Sequence, residues 1–179
     1  IRRQRQMCIR DRYMNAGAYG GEMKDVVVAA SVMDRRGEIR VLSPEELQLS
    51  YRHSVLQEDG RIVLDITLEV VPANGAEVLA KMEELSQRRI SKQPLEMPSA
   101  GSVFKRPEGC FVGPLIEKAG LKGFRIGGAQ ISVKHAGFIV NAGNATAADV
   151  LALILYIRNK IWTDYQVQLK PEVLIIGEE

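Results

Sequence analysis

The chain has 179 residues, of which 46% are hydrophobic and 26% charged, and its formal net charge is +2. That length holds one medium domain or two small ones around a real core, which excludes a fibrous or disordered polymer. The charge does not call for nucleic acid, because Arg2, Arg3, Arg5, Arg10 and Arg12 crowd the first stretch against the single acid Asp11 and leave the remainder slightly acidic, with no basic face bearing base-stacking or groove-reading elements.

Residues 1–12 have no hydrophobic periodicity and a composition unlike that of the remaining chain. Such a stretch reads either as a basic arm that touches phosphates or as a segment foreign to the rest of the chain. Next comes Tyr-Met-Asn-Ala-Gly-Ala-Tyr-Gly-Gly-Glu over 13–22. Its glycines permit close backbone approach to a bound group, with Asn15 as a polar and Tyr19 as a stacking contact. Valine-rich 25–33 predicts a strand, 34–37 a tight turn and 38–42 the hairpin partner. Ser43, Pro44 and Glu46 supply a cap, a first-turn proline and a glutamate three residues after the cap, so a short helix is expected to about residue 50. Tyr-Arg-His-Ser occupies 51–54. Over 61–71, Ile62, Leu64, Ile66, Leu68 and Val70 alternate with polar residues and predict a strand with one buried face. Residues 75–90 read as a helix with Val78, Leu79, Met82 and Leu85 on one face. Arg88, Arg89 and Lys92 then form a basic cluster, either a solvated helix end favoured by the macrodipole or a contact for a diphosphate.

The run Pro-Ser-Ala-Gly-Ser-Val-Phe-Lys-Arg-Pro over 98–107 sets the Ser102 hydroxyl beside two cations, Lys105 and Arg106. Gly101 frees the backbone and the prolines stiffen both ends, which suits an anionic substrate, although such a loop taken alone reads as a turn. Residues 113–120 predict a short helix with proline near its start and glycine at its stop, and 122–128 a glycine-rich connector. Short strands are expected at 129–134 and 137–141, with His135 as a turn residue between them. Residues 144–162 form the longest predicted helix, with Val150, Leu153, Ile154, Ile157 and Ile161 as a core stripe. Residues 167–169 and 173–176 have strand character, interrupted by Pro171.

Several classes drop out. Cys8 and Cys110 form no CxxC pair, and His53 and His135 lack metal-ligand spacing, so disulfide and metal roles are not expected. No apolar run reaches the roughly 18 residues that span a bilayer, and the polar beginning has no signal-peptide core, so the expected compartment is a reducing cytosol. The connector lacks the GxxxxGK[ST] order and no GxGxxG opens a helix after a strand, which argues against Walker and Rossmann nucleotide sites.

Four segments in order, Asn-Ala-Gly-Ala-Tyr-Gly from Asn15, Tyr-Arg-His-Ser around Arg52, Ala-Gly-Ser-Val-Phe-Lys around Ser102 and Lys-Pro-Glu-Val around Glu172, resemble the motifs of UDP-N-acetylenolpyruvoylglucosamine reductases (UDP-N-acetylmuramate dehydrogenases). The resemblance runs from Tyr13 almost to the last residue. It implies an FAD- and NADPH-dependent oxidoreductase that reduces UDP-N-acetylglucosamine enolpyruvate in peptidoglycan synthesis, in the service of cell wall, shape and division. It further implies Ser102 as proton donor to the enolpyruvyl carbon, with Arg52 and Glu172 steadying the substrate carboxylate and the enol. Asn15, Gly17, Ala18, Tyr19 and Gly20 become flavin contacts, and Arg88, Lys92, Lys105 and Arg106 candidates for the sugar nucleotide. Some branches of the family carry asparagine where Arg106 stands.

The fold class that the resemblance implies is α+β, with mixed sheets covered by helices. Residues 13–73 with 166–179 are assigned to the second part of a flavin-binding domain, and 74–165 to a substrate-binding domain. The family's first flavin lobe, with a Gly-Ser-Asn loop and a proline- and glycine-rich loop, is expected ahead of Asn15. Residues 1–12 do not resemble it, so they are expected to be a foreign or mistranslated start on an N-terminally truncated chain that is inactive alone. The alternative is a non-catalytic fragment that binds a sugar nucleotide without flavin.

Overall fold

The computed structural model describes residues 13–177, and the expectation for 1–12 lies outside them. Two compact units divide between Leu79 and Ala80.

The first unit begins with a small hairpin, β1 (Gly17–Ala18) and β2 (Gly21–Glu22), followed by a 3-10 turn at Met23–Asp25. Its main sheet has the order β4-β3-β5, with β3 at Val27–Met33, β4 at Ile39–Leu42 and β5 at Ile62–Leu68. The predicted turn forms as expected: Gly37 takes φ +84°, and its N–H donates to the Asp34 carbonyl at 3.1 Å. Helix α1 (Pro44–Leu47) carries the full capping box, with Ser43 Oγ accepting from the Glu46 N–H at 3.3 Å and the Ser43 N–H donating to Glu46 Oε2 at 2.9 Å. It stops at Gln48, two residues before the turn that bears Arg52. A second one-turn helix, α2, covers Leu56–Asp59.

Strand β5 departs from the expected alternation. Pairing with β3 shifts register between Ser31 and Val32, so Ile66 lies opposite Ala30 while Val63 lies opposite Val32. The bulge moves one residue out of phase and exchanges the faces beyond it. The core face therefore carries Ala30, Val32, Leu42, Val63 and Ile66, whereas Ile62 and Leu64 are exposed.

Helix α3 (Gly75–Lys92) runs two residues beyond the predicted end, yet none of its residues is buried. Of its expected apolar face only Leu85 is partly covered; Val78, Leu79 and Met82 are exposed.

The second unit is a four-stranded sheet of order β6-β9-β8-β7, with β6 at Ser99–Ser102, β7 at Arg125–Ile126, β8 at Ala129–Ile131 and β9 at Phe138–Asn141. Helix α4 (Val112–Lys118) and helix α5 (Ala147–Tyr165) pack on each other, and α5 packs on β7 and β8. The stripe predicted for α5 is its core face, since Leu153, Ile157 and Ile161 are at most 1% exposed. Burying each is worth about 1.5–3 kcal/mol. Leu169 joins this core, which groups 166–177 with the second unit. Residues 173–176 do not form the expected strand: no neighbouring strand offers them a ladder, and Leu174, Ile175 and Ile176 are exposed.

The architecture is α+β, but every described strand pair is antiparallel rather than mixed. Antiparallel strands need only short connections, whereas a parallel pair needs a long crossover. Among the described residues no helix is long and apolar enough to cross a membrane.

Candidate active site

In the first unit, the flavin-segment residues and Arg52 gather at one hollow of about 260 Å³, lined by the β1–β2 hairpin with Asn15, Tyr51 and Arg52. The hairpin tip takes positive φ at Tyr19 (54°) and Gly20 (90°), the conformation that two-residue hairpin turns prefer and that glycine adopts without strain. A side chain at Gly20 or Gly21 would meet nothing within 4 Å, so the tip is an open surface.

Asn15 lines the hollow and also braces it. It is 1% exposed, and its amide donates to Glu22 Oε2 and to the Ser50 carbonyl, each at 2.9 Å, while its oxygen accepts from the Lys24 N–H at 2.9 Å. Those bonds tie the hairpin to the turn at 50–53. Ser54 Oγ and Gln57 Nε2 add to the tie by donating to the Tyr13 carbonyl at 2.7 and 2.9 Å. Sequence reading took Ser54 only as the end of Tyr-Arg-His-Ser and missed Gln57, since neither signals which distant carbonyl it binds.

Arg52 occupies the second corner of a turn closed by Ser50 and His53, whose backbones exchange two hydrogen bonds of 3.1 Å. Its φ is +54°. A non-glycine residue there costs roughly 1–2 kcal/mol, and such strain concentrates where geometry serves function. The guanidinium lies over the Tyr51 ring, 5.5 Å from its centroid.

In the second unit the structure brings the backbones at Ser102 and Glu172 together. Gly101 takes φ +93°, its N–H held by Ser99 Oγ at 3.1 Å, and Ser102 pairs with Phe138 at an irregular register. The chain then leaves the sheet and meets 170–172: the Glu172 N–H donates to the Val103 carbonyl at 2.7 Å, and the Lys105 N–H to the Lys170 carbonyl at 2.9 Å. Phe104 and Pro171 face each other between these bonds. That is the position in an antiparallel pair from which no N–H is required, so proline costs nothing there. Val103, Phe104 and Leu169 are buried beneath, which leaves Ser102 exposed and Glu172 half-buried.

The Arg106 guanidinium carbon lies over the Phe111 ring, 3.8 Å from its centroid, while Lys105 is half-buried. Arg88 pairs with Glu84 at 3.6 Å, and Glu84 also holds Lys81 at 2.7 Å. The hydrogen bond from Lys81, with its charge, keeps the Glu84 carboxyl below its usual range. Lys92 ends α3. His135, expected as a turn residue, accepts the Gly137 N–H at Nδ1 (3.0 Å), and burial lowers its pKa. A larger apolar groove of about 610 Å³ runs along Ser99, Ala100 and Val103, with 173–176 on its other side.

Known proteins resemble this chain in sequence and in fold. The model of the UDP-N-acetylenolpyruvoylglucosamine reductase C-terminal domain matches residues 93–176. The UDP-N-acetylenolpyruvoylglucosamine reductase of Latilactobacillus sakei subsp. sakei is 56% identical over 167 residues, covering 93% of this chain and 55% of the relative. That of Alkaliphilus oremlandii is 55% identical over 166 residues, with the same shares. A crystal structure of UDP-N-acetylenolpyruvylglucosamine reductase from Thermus caldophilus superposes with a TM-score of 0.78 at 38% identity, covering 92% of this chain and 59% of that one. The chain therefore spans about half the length of the curated relatives it matches. With the serine and glutamate motifs inside the matched stretch and a similar fold in a solved relative, residues 93–176 belong to the C-terminal-domain family of UDP-N-acetylenolpyruvoylglucosamine reductases.

Proposed function

We propose that these residues serve the NADPH- and FAD-dependent reduction of UDP-N-acetylglucosamine enolpyruvate to UDP-N-acetylmuramate, a cytoplasmic step of peptidoglycan synthesis. The observation that carries the reading is the backbone pairing of 103–105 with 170–172, which holds a hydroxyl and a carboxylate on neighbouring segments beside the cations Lys105 and Arg106. The residues of the first unit fit one edge of a flavin: an open glycine hairpin for close approach, the half-exposed Tyr19 ring for stacking and the Arg52 cation, around a single hollow. When bound, the flavin would supply the hydride, replenished from NADPH.

The chain's own residues handle the charge and the proton. Ser102 Oγ gives its proton to the enolpyruvyl carbon next to the carboxylate. A serine hydroxyl is a weak acid, so this step needs a strongly basic carbon in a site closed to water. Arg52 balances the negative charge that grows on the carboxylate, and Glu172 orients the enol. Arg88, Lys92, Lys105 and Arg106 are candidate contacts for the nucleotide. In this reading the partner is the flavin lobe that the family's longer members supply.

The test is a completed chain, made by joining the 179 residues to the unmatched part of the Latilactobacillus relative. It is expected to show flavin absorbance and to oxidise NADPH when the enolpyruvyl substrate is added, whereas the 179-residue chain alone does not. Absence of flavin from the completed chain, together with binding of UDP to the shorter one, would establish the sugar-nucleotide module instead.

A further inference from the structure

The turn between β3 and β4 carries a second hollow of about 260 Å³, and none of the candidate residues named above lines it. Four arginines, Arg35, Arg36, Arg40 and Arg61, surround it with two acids, Asp34 and Glu38. Its floor is Val32, 1% exposed. We propose that this hollow binds a diphosphate group, through the guanidinium groups that the β3–β4 turn and the start of β5 bring to one place.

The backbone forces the convergence. Arg40 lies directly opposite Val32 in the β3–β4 register, and Val32 lies opposite Val63 on the other side, two residues beyond Arg61. Gly60, at φ +67°, turns the chain into β5. A Cβ there would stand 2.9 Å from Arg35 Nη2 and 3.2 Å from its Nε. The Arg35 fork therefore rests on the backbone beside Arg61, in space that only a glycine leaves vacant.

The two acids offset the four arginines only in part. Asp34 Oδ1 is engaged by the turn itself, accepting the N–H groups of Arg36 at 2.8 Å and Glu38 at 3.0 Å. Among the described residues no carboxylate forms an ion pair with Arg35, Arg36 or Arg40. Like charges within a Debye length of about 8 Å repel one another and hold a positive potential over a concave surface. Guanidinium is weakly hydrated and presents two parallel N–H donors, a geometry that matches two oxygens of one phosphate. Several such forks around a hollow of this size suit two linked phosphates better than one. The residues belong to the first unit and act independently of the reductase reading.

Titration of the 179-residue chain with inorganic pyrophosphate, orthophosphate and ADP, followed by calorimetry and phosphorus NMR, tests this. Pyrophosphate is expected to bind saturably, with a Kd below about 1 mM at about 0.15 M salt, and more tightly than orthophosphate. Arg40→Ala and Arg61→Ala are each expected to weaken it roughly tenfold or more, the loss of one charge-assisted contact, while Lys160→Ala in the second unit leaves it unchanged. Gly60→Ala, which displaces Arg35 without removing a charge, is expected to weaken binding as well. Tighter binding of ADP than of pyrophosphate assigns the diphosphate to a nucleotide. No saturation, equal affinity for orthophosphate, or arginine variants that bind as the parent does would overturn the proposal.

Discussion

The residues with the most to say are those whose conformation costs something. Arg52 holds a left-handed backbone that glycine would adopt freely, and nothing in Tyr-Arg-His-Ser announces that strain. Replacing Arg52 by glycine and by alanine separates strain from side chain: the glycine variant should be the more stable of the two by about 1 kcal/mol, because alanine keeps the Cβ that clashes. Urea midpoints of the two variants decide it, and equal midpoints would mean that the turn relaxes. Ser102 is the opposite case, a residue legible from its motif whose neighbours were not. In the completed chain, Ser102→Ala should leave reduction of flavin by NADPH intact and slow reoxidation by substrate roughly 10²–10⁴-fold, the usual worth of a positioned acid. Stopped-flow flavin absorbance follows both halves, and unchanged reoxidation would remove Ser102 from the chemistry. Asn15, expected to touch flavin on the strength of the resemblance, is buried and makes three hydrogen bonds that brace the hairpin.

At the scale of elements, the sequence was most legible where a signal is local. The capping box read at Ser43 lies within four residues of chain, and α5 starts at one that the sequence reading did not name: Thr146 Oγ1 accepts the Asp149 N–H at 3.1 Å and Asp149 accepts the Thr146 N–H at 3.0 Å. Asp149 also accepts the Gly128 N–H at 3.2 Å, which joins the glycine connector to the helix. The Thr146 N–H first, and then that of Gly128, hold its carboxyl below the ordinary 3.8. The unfolded chain thus binds the proton at higher pH than the folded one. The stabilisation is complete above 3.8 and is lost as pH falls from there through the lower folded value. Asp149→Asn keeps an acceptor oxygen but no charge, so its stability should change less with pH across that window than the parent's, as urea midpoints on either side of 3.8 would reveal. Strand β5 and residues 173–176 went differently. A bulge depends on which strand lies alongside, and residues rich in valine and isoleucine form a ladder only where a partner presents its N–H and C=O groups.

Across the whole molecule, two units meet in the chain inside α3, a helix with no buried residue. A helix held by no core has little beyond its own propensity to keep it closed. Trypsin should therefore cut at Lys81, Arg88 or Arg89 before it cuts α5 at Arg158 or Lys160, which mass spectrometry of early fragments can verify. The sequence by itself determined the α+β class, the α5 core stripe, the caps and turns, and the motifs that carry the family resemblance, because periodicity, capping and short motifs are written in residues near one another. Only the tertiary structure decided that 103–105 pair with 170–172, that Asn15 braces the hairpin to the Arg52 turn, and that four arginines share one hollow. Each of those depends on which distant backbone supplies the hydrogen-bond partner, and no window of sequence contains that partner.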